Sequence, residues 1–245
     1  MRYLILSDIH ANRQALEAVA EHASGGYDAV ACLGDVVGYG ADPAFAADWV
    51  RANAKWTVRG NHDKASVGLE DIEWFNPAAR QATLWTRSQL SADEQDWLRS
   101  LPRGPVPVDD FILTHGSPID EDEYLMGPRE ASEAAEYLDQ QTCFFGHTHL
   151  QGGFVVHRNG IRRIARPDFD QEEYAVELED AWYLLNPGSV GQPRDGDPRA
   201  AYAIFDPQHK RLLLRRVLYD IAEAQRRIRA AGLPAILADR LAFGS

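Results

Sequence analysis

The sequence predicts an α/β fold in which short buried strands alternate with helices. Short apolar, β-prone runs end abruptly at polar clusters, and segments with helix-capping signals lie between them. This alternation is typical of βαβ units. Because the apolar runs are nearly continuous, we expect the strands to be buried on both faces. The length of 245 residues suits one α/β domain, and we expect a single domain over residues 1–245.

Capping signals place the helices. Asn12 is a suitable N-cap for a first helix that carries Leu16 and Val19. Three further helix starts are predicted by Asn76-Pro77, by the capping box Ser91-Ala92-Asp93-Glu94, and by Asp220 with Glu223. The five apolar runs that predict strands are Tyr3–Leu6, Ala29–Leu33, Trp56–Val58, Phe111–Leu113 and Cys143–Phe145.

After residue 150 the pattern changes to hairpins. An Asn159-Gly160 turn, the strongest short hairpin signal, joins two β-prone runs, and an Asp206-Pro207 turn joins two more. We interpret the polar stretch Pro167–Asp180 as an exposed loop, and an apolar helix face near Ala230–Phe243 as a cover for the sheet or an interface. We therefore expect a mainly parallel sheet from the first half of the chain and a more antiparallel one from the rest.

Composition and charge narrow the classes of function. With 25 Lys+Arg against 37 Asp+Glu, the formal net charge is −12, which makes a nucleic-acid polymer an improbable substrate or partner. The clustered arginines at 158, 162, 163 and 166 are explained equally well by a local basic groove, as in a nuclease, and by the solvated face of a hairpin. No secretory signal and no apolar run long enough to span a membrane is visible, so we expect a soluble, cytoplasmic protein with no membrane partner. Cys32 and Cys143 lie in apolar runs and are predicted to be free thiols of the core.

The polar clusters lie at the ends of the five predicted strands. In open α/β sheets, ligands bind beyond the carboxyl ends of the strands. Five of the eight histidines fall in these clusters. A mixed shell of carboxylate, imidazole and amide suits Mn, Fe, Zn or a similar ion, and there are enough donors for two ions. The candidate ligands are Asp8, His10, Asp35, Asn61, His115, His147 and His149, with His62 beside them.

These clusters carry a resemblance to a known family. Asp8-x-His10, Gly34-Asp35, Gly60-Asn61-His62-Asp63, His115 and Gly146-His147-x-His149, in this order, resemble the signature of the calcineurin-like metallophosphoesterases. The segment from Asn186 to Arg194 is similar to the closing loop of the small bacterial and archaeal branch. The resemblance implies a four-layer α-β-β-α sandwich, with two mixed β-sheets packed face to face and flanked by helices.

The resemblance also implies a division of roles. One ion would take Asp8, His10, Asp35 and His149, and the other Asp35, Asn61, His115 and His147, the metals being Mn, Fe, Zn, Ni or Co. Asp35 would bridge the ions together with a hydroxide that attacks phosphorus in line, and His62 would assist the leaving group. Arg194, Ser189 and Tyr39 are candidate contacts to the substrate, ahead of the weaker candidates Arg199 and Asn12. His22, His157 and His209 lie outside the motifs and are predicted to be surface residues.

One motif departs from a well-known branch of the family. Eukaryotic-type Ser/Thr protein phosphatases carry Gly-Asp-x-x-Asp-Arg-Gly, whereas Gly38 and Tyr39 stand here at the positions of that Asp and Arg, and Asp63 replaces a Glu. We expect a hydrolase of small phosphodiesters or phosphomonoesters. The alternatives are a protein-phosphatase-like enzyme, a dinucleoside-polyphosphate hydrolase and a metal-bound scaffold without activity. The sequence contains no pattern from which we predict the oligomeric state.

Overall fold

The computed structural model describes residues 1–245, which form twelve strands and eight α-helices. The strands are β1 (Tyr3–Leu6), β2 (Ala29–Cys32), β3 (Ala54–Thr57), β4 (Val106–Val108), β5 (Phe111–Leu113), β6 (Thr142–Phe144), β7 (Gly152–His157), β8 (Gly160–Ile164), β9 (Glu173–Glu177), β10 (Trp182–Asn186), β11 (Ala200–Asp206) and β12 (Arg211–Val217). The helices are α1 (Arg13–Ala23), α2 (Pro43–Asn53), α3 (Asn61–Ser66), α4 (Pro77–Gln89), α5 (Ala92–Ser100), α6 (Pro128–Ala135), α7 (Ile221–Ala230) and α8 (Ala235–Asp239), followed by a 3-10 turn at Arg240–Ala242. None of the helices combines the length and the apolar character that crossing a bilayer requires.

The strands form two six-stranded sheets, ordered β3-β2-β1-β11-β12-β9 and β4-β5-β6-β10-β7-β8. In the first sheet β1, β2 and β3 are parallel, and in the second β5, β6 and β10 are parallel, while the remaining pairs are antiparallel. The expected division into a parallel first half and an antiparallel second half is therefore wrong. Each sheet mixes both kinds of pairing because β10 and β11 return from the second half to pair with strands of the first.

The alternation of side chains along β1 shows how the layers stack. Leu4 and Leu6 belong to a buried cluster with the apolar faces of α1 and α2, whereas Tyr3 and Ile5 point into the core between the two sheets. Phe111, Phe144 and Phe205 surround one another and Tyr3 in this core, with ring centroids 4.8–6.5 Å apart. This aromatic cluster joins the two sheets face to face.

The outer face of the second sheet packs on α6, where Ala131 and Ala134 cover Cys143, Phe154 and Leu184. The order of layers is thus helices, sheet, sheet, helix, which confirms the four-layer α-β-β-α prediction. The second helical layer is thin, since α6 has only 8 residues. Both cysteines are free and buried, as the sequence predicted.

The predicted helix starts are confirmed by their hydrogen bonds. The side-chain oxygens of Asn12, Asn76 and Asp220 each accept a bond from the backbone N–H three residues later, and Ser91 forms the predicted capping box with Glu94. The interpretation of Pro167–Asp180 as a loop is wrong in part, because Glu173–Glu177 forms β9. Its residues alternate between exposed and half-buried, and β9 is an edge strand that pairs with β12 only. The apolar face near the C-terminus covers α4, where Leu237 and Leu241 pack with Ala79 and Ala82.

Candidate metal centre

The site lies where the carboxyl ends of β1, β2, β5 and β6 meet, at one edge of the two sheets. Gly146 fits this convergence. A Cβ atom on Gly146 would lie 2.0 Å from Ser7 Oγ and 3.0 Å from Asp8 Oδ2, so the loop after β6 reaches the loop after β1 only without a side chain there. The backbone N–H of Asp8 donates to the carbonyl of Gly34, at 3.0 Å, which ties the loops after β1 and β2 together.

Backbone strain is concentrated at the predicted ligands. Five of the nine non-glycine residues with positive φ are predicted ligands, and their φ values lie between 48° and 63°. This left-handed region costs a non-glycine residue about 1–2 kcal/mol. Strain of this kind persists where a site requires a particular orientation of side chains. The five residues are Asp8, His10, Asp35, His147 and His149.

Four of the predicted ligands form a first buried cluster, since single ligand atoms of Asp8, His10, Asp35 and His149 all lie within 4.8 Å of one another. His10 Nε2 lies 3.1 Å from His149 Nε2 and 3.5 Å from Asp35 Oδ2. His149 Nε2 is 3.3 Å from Asp8 Oδ1. These donors converge on one point, as an ion would require.

A second buried cluster consists of Asp35, His115 and His147. His115 Nε2 lies 3.5 Å from Asp35 Oδ2 and 3.3 Å from Asn61 Oδ1, so the amide joins this cluster. Asp35 Oδ2 is therefore 3.5 Å from a histidine of each cluster, His10 on one side and His115 on the other. The other oxygen of Asp35 accepts the backbone N–H of His62, at 2.9 Å, which holds the carboxylate between the two clusters.

Three of the histidines are fixed from behind by backbone carbonyls. The Nδ1 atoms of His10, His115 and His149 lie 3.2, 2.7 and 2.6 Å from the carbonyl oxygens of Val37, Leu33 and Gln192. A carbonyl can only accept, so each Nδ1 carries the proton and each Nε2 presents a lone pair to the cluster when the ring is neutral. This arrangement is the usual support for a histidine that binds metal.

Asp8 supplies an independent test of whether the residues fit a metal. Its Oδ2 accepts from Ser7 Oγ at 2.6 Å and from the backbone N–H of His147 at 3.2 Å. Its Oδ1 is buried and has no hydrogen-bond partner. A buried carboxylate oxygen without a partner is costly, and a cation next to it removes that cost. The residues present therefore fit an ion in the first cluster.

Burial and mutual charge shift the pKa values across the site. Burial alone would raise the pKa of Asp35, but the neighbouring rings of His115 and His62 hold it well below its usual value. Burial lowers the pKa of His10 well below its usual value and that of His147 to about 3. His115 differs, because Asp35 outweighs burial and raises its pKa to about 10. A histidine whose pKa is raised in this way must lose its proton before it can bind a metal.

His62 lies beside the clusters in a tight aromatic setting. Its ring centroid is 4.2 Å from that of Tyr39, 5.0 Å from that of His10 and 5.2 Å from that of Phe75. Its Nδ1 is buried without a hydrogen-bond partner. Burial lowers the pKa of His62 to about 4. The ring is thus held by packing and by its backbone bond to Asp35, with no carboxylate on Nδ1.

Gly38 explains how this packing is possible. Its φ is +91°, and a Cβ atom there would lie 2.8 Å from His62 Nδ1. The sequence departs from the protein-phosphatase motif at this position, and the structure shows that any side chain would need the space of the His62 ring. Asp63, the other departure, caps α3 by accepting from the backbone N–H of Gly60 at 3.0 Å, and it also accepts from the backbone N–H of Val37 in the loop after β2, at 3.1 Å.

Of the three predicted substrate contacts, two face the cleft above the clusters and one does not. Tyr39 lies under the guanidinium of Arg194, whose carbon is 5.8 Å from the ring centroid, and Arg194 Nε is buried without a partner. Ser189 is fully buried, and its hydroxyl donates to the carbonyl of Asp8 and accepts from the backbone N–H of Gln192, both at 2.8 Å. We therefore correct its role to fixing the closing loop against the loop after β1.

The weaker candidates also have structural roles. Asn12 caps α1 and donates to the carbonyl of Gly191, at 2.8 Å. Arg199 is buried in an ion pair with Asp197. His22, His157 and His209 are exposed, as predicted.

The cleft contains residues that the sequence did not single out as site residues. It encloses about 340 Å³ above the clusters. Tyr124 stacks on His147 with the ring centroids 3.9 Å apart, and burial raises the pKa of its hydroxyl. Tyr124 lies in the loop after β5, which also carries the predicted ligand His115. This position in the chain is the only feature of the sequence that indicates a place near the site. The other additions are Glu70, Asn76, Ala79 and Asp122. Trp74 and Phe75 also line the cleft; their sequence positions favour a core or groove-lining role over a platform for base stacking.

Comparison with known proteins agrees with this geometry. Residues 1–210 match the model of the calcineurin-like phosphoesterase superfamily domain. An uncharacterized protein of Methanocaldococcus jannaschii is 35% identical over 252 residues, covering 98% of this chain and 97% of the relative. A metallophosphoesterase from Sphaerobacter thermophilus superimposes with a TM-score of 0.87 at 40% identity, over 100% of this chain and 99% of the other.

A hypothetical protein from Pyrococcus horikoshii OT3 shares the fold, with a TM-score of 0.78 at 17% identity over 100% of this chain and 98% of the other. The fold, the clustered carboxylates and imidazoles, and the matched family model agree. The chain belongs to the calcineurin-like phosphoesterase superfamily.

Proposed function

We propose that the protein is a cytoplasmic hydrolase of small phosphodiesters or phosphomonoesters that works with two metal ions. The observation that supports this most strongly is the position of Asp35, whose Oδ2 lies 3.5 Å from a histidine of each buried cluster. One ion is assigned to Asp8, His10, Asp35 and His149. The second is assigned to Asp35, Asn61, His115 and His147, and Mn, Fe, Zn, Ni and Co all suit these ligands.

When bound, the two ions supply an activated water molecule and neutralise charge on the phosphoryl oxygens. The residues of the chain bind and orient the phosphoryl group and the leaving group. Arg194 has a buried Nε without a partner and lies in the same cleft as the clusters, so it is placed to bind a phosphoryl oxygen. His62 lines the cleft and is placed to donate a hydrogen bond or a proton to the departing oxygen.

The cleft also bears on the alternatives. The Asp and the Arg of the protein-phosphatase motif are both missing, since Gly38 and Tyr39 stand at their positions, and this disfavours that mechanism. The net charge of −12 disfavours a long nucleic acid as substrate. The scaffold alternative has no support from the site, because every predicted ligand side chain lies in one of the two clusters or beside it.

The test compares bis(4-nitrophenyl) phosphate with 4-nitrophenyl phosphate. Metal-stripped protein is reconstituted separately with Mn²⁺, Ni²⁺, Zn²⁺ or Mg²⁺, and Asp35→Asn is the control variant. We expect metal-dependent hydrolysis that Asp35→Asn abolishes. Absence of turnover of both compounds with every metal would count against a general phosphoesterase.

His62 is tested separately on its proposed role. We expect His62→Ala to lower turnover of a diester with an alkyl leaving group about 10²- to 10⁴-fold, since such an oxygen needs the proton most. Unchanged turnover of that substrate would remove His62 from the role.

A further inference from the structure

Beyond His62, the cleft has a wall whose chemistry differs from that of the metal clusters. This outer wall consists of Glu70, Trp74, Phe75 and Asp122, all of which line the cleft. It starts at His62, because the ring centroids of His62 and Phe75 are 5.2 Å apart. If His62 serves the leaving group, the leaving group departs towards this wall.

The aromatic part of the outer wall consists of one exposed ring, Trp74, and one half-buried ring, Phe75. Trp74 is 90% exposed, which is unusual for an indole because so much apolar surface remains in water. The two aromatic residues come directly before Asn76, whose side chain accepts from the backbone N–H of Ala79 at 2.9 Å and caps α4. Trp74 and Phe75 thus stand at the capped start of α4, where Trp74 exposes its ring and Phe75 packs between the core and His62.

The charged part of the outer wall is acidic. Glu70 and Asp122 pair with Lys64 Nζ at 3.2 and 2.6 Å, and Lys64 also pairs with Glu121 at 3.2 Å. Lys64 is only 4% exposed and does not line the cleft. Its ammonium group is paired with the three carboxylates and is not available to a ligand. Two arginines near Glu121 do not line the cleft either. Arg59 pairs with Glu121 at 2.8 Å, and Arg103 lies 3.9 Å from Glu121. The outer wall offers carboxylate acceptors and no free cation.

We propose that the outer wall is a leaving-group subsite for a nucleoside, and that it disfavours leaving groups carrying a further phosphate. This inference rests on the proposed function. A nucleobase would stack on Trp74 or Phe75, and the ribose hydroxyls would donate to Glu70 or Asp122. A phosphate in the same place would meet two carboxylates whose shared cation, Lys64, is buried and does not line the cleft. The substrate class is therefore a phosphodiester with a nucleoside leaving group, rather than a dinucleoside polyphosphate.

The reaction assigned to this subsite is a hydrolysis. In a dinucleoside monophosphate, the oxygen of water forms a new bond to phosphorus and the ester bond from phosphorus to the leaving oxygen breaks. One proton of the water stays with the nucleotide product or is lost to solvent, and the other reaches the leaving oxygen through His62, whose ring is neutral before and after the step. The products are one nucleoside and one nucleoside monophosphate.

The test uses the Mn²⁺-reconstituted full chain and three substrates: bis(4-nitrophenyl) phosphate, adenylyl-(3′→5′)-adenosine and diadenosine tetraphosphate. The first substrate measures the proposed phosphoesterase activity itself. We expect kcat/KM for the dinucleoside monophosphate to exceed that for the tetraphosphate about tenfold or more. Hydrolysis of the nitrophenyl diester with equal or better use of the tetraphosphate would overturn the inference and leave the proposed function standing. Failure on the nitrophenyl diester would overturn both.

Two variants test the two halves of the outer wall. We expect Trp74→Ala to lower kcat/KM for adenylyl-(3′→5′)-adenosine about tenfold, the size that stacking of a base on an aromatic ring commonly gives. Tyr137→Ala is the matched control, because Tyr137 is 65% exposed and does not line the cleft. We expect Glu70→Gln to raise kcat/KM for diadenosine tetraphosphate several-fold, while Lys64 keeps its pairs with Glu121 and Asp122. With metal content equal to wild type, unchanged kinetics in both variants would contradict the assignment.

Discussion

Replacing Gly38 by alanine tests whether the packing of His62 matters for the reaction. A Cβ atom at this position would lie 2.8 Å from Nδ1 and 3.1 Å from Cβ and Cγ of His62. The imidazole must move by about 0.6 Å to reach ordinary contact, which begins near 3.4 Å. The positive φ of +91° adds a backbone penalty of about 1–2 kcal/mol. We expect Gly38→Ala to fold with lower stability and with a displaced His62 ring.

The kinetic effect follows from the displacement. A misplacement of about 1 Å in a catalytic group commonly costs about 10²-fold in rate, so we expect a loss of about 10- to 100-fold in kcat for a diester with an alkyl leaving group. The loss should be much smaller for bis(4-nitrophenyl) phosphate, whose leaving group needs little protonation. Steady-state kinetics on both diesters, with metal content measured in parallel, gives the comparison.

Gly25→Ala is the matched control for the backbone penalty. Gly25 also has a positive φ, of +73°, but a Cβ atom there would have no neighbour within 4 Å. It should lose stability by a similar amount and keep wild-type kinetics. The reasoning about His62 is refuted if Gly38→Ala keeps full activity on the alkyl ester, or if both diesters lose turnover equally.

Two further predictions concern the scaffold. We expect Phe111→Ala to lower the free energy of unfolding by about 3–5 kcal/mol, because Phe111 is fully buried in the aromatic cluster between the sheets. Urea denaturation measures this, with Phe243→Ala, at a residue 70% exposed, as the control that should change little. We expect Asp197→Ala to cost about 3 kcal/mol at neutral pH, since it strips the buried Arg199 of its partner. Burial alone would raise the pKa of Asp197, but Arg199 lowers it, so this stabilisation is present above the unfolded-state pKa and is lost as pH falls through the folded-state pKa. A difference in stability between wild type and Asp197→Ala that does not shrink in acid would contradict the ion-pair explanation.

The sequence predicted the parts of the site that depend on local pattern. Asp8, His10 and Asp35 each follow an apolar run, and a strand that ends at a polar residue places that residue at the edge of the sheet. The order of the motifs along the chain then supplied the resemblance. Each motif of Asp, Asn or His is common by itself, but few unrelated chains carry all of them in the same order. The capping residue Asn12 was predictable for the same local reason.

Long-range features were not predictable from pattern. The return of β10 (Trp182–Asn186) to pair with β6 in the second sheet involves residues far apart in sequence, and no local signal marks it. Tyr124 belongs to a loop without regular structure, and only the folded chain brings its ring to 3.9 Å from that of His147. Ser189 shows the opposite case, a residue that the sequence predicts as a substrate contact and that the structure places elsewhere. Its loop reaches the site, but its hydroxyl is hydrogen-bonded to two backbone groups.

The central claim, that two ions share Asp35, is tested most directly by metal stoichiometry. Metal-stripped protein is dialysed against Mn²⁺, and the bound metal per chain is measured by inductively coupled plasma mass spectrometry. Wild type should bind two ions, His149→Ala and His147→Ala about one each, and Asp35→Asn fewer than either single-site variant. One ion per chain in the wild type, or two retained by Asp35→Asn, would contradict the account.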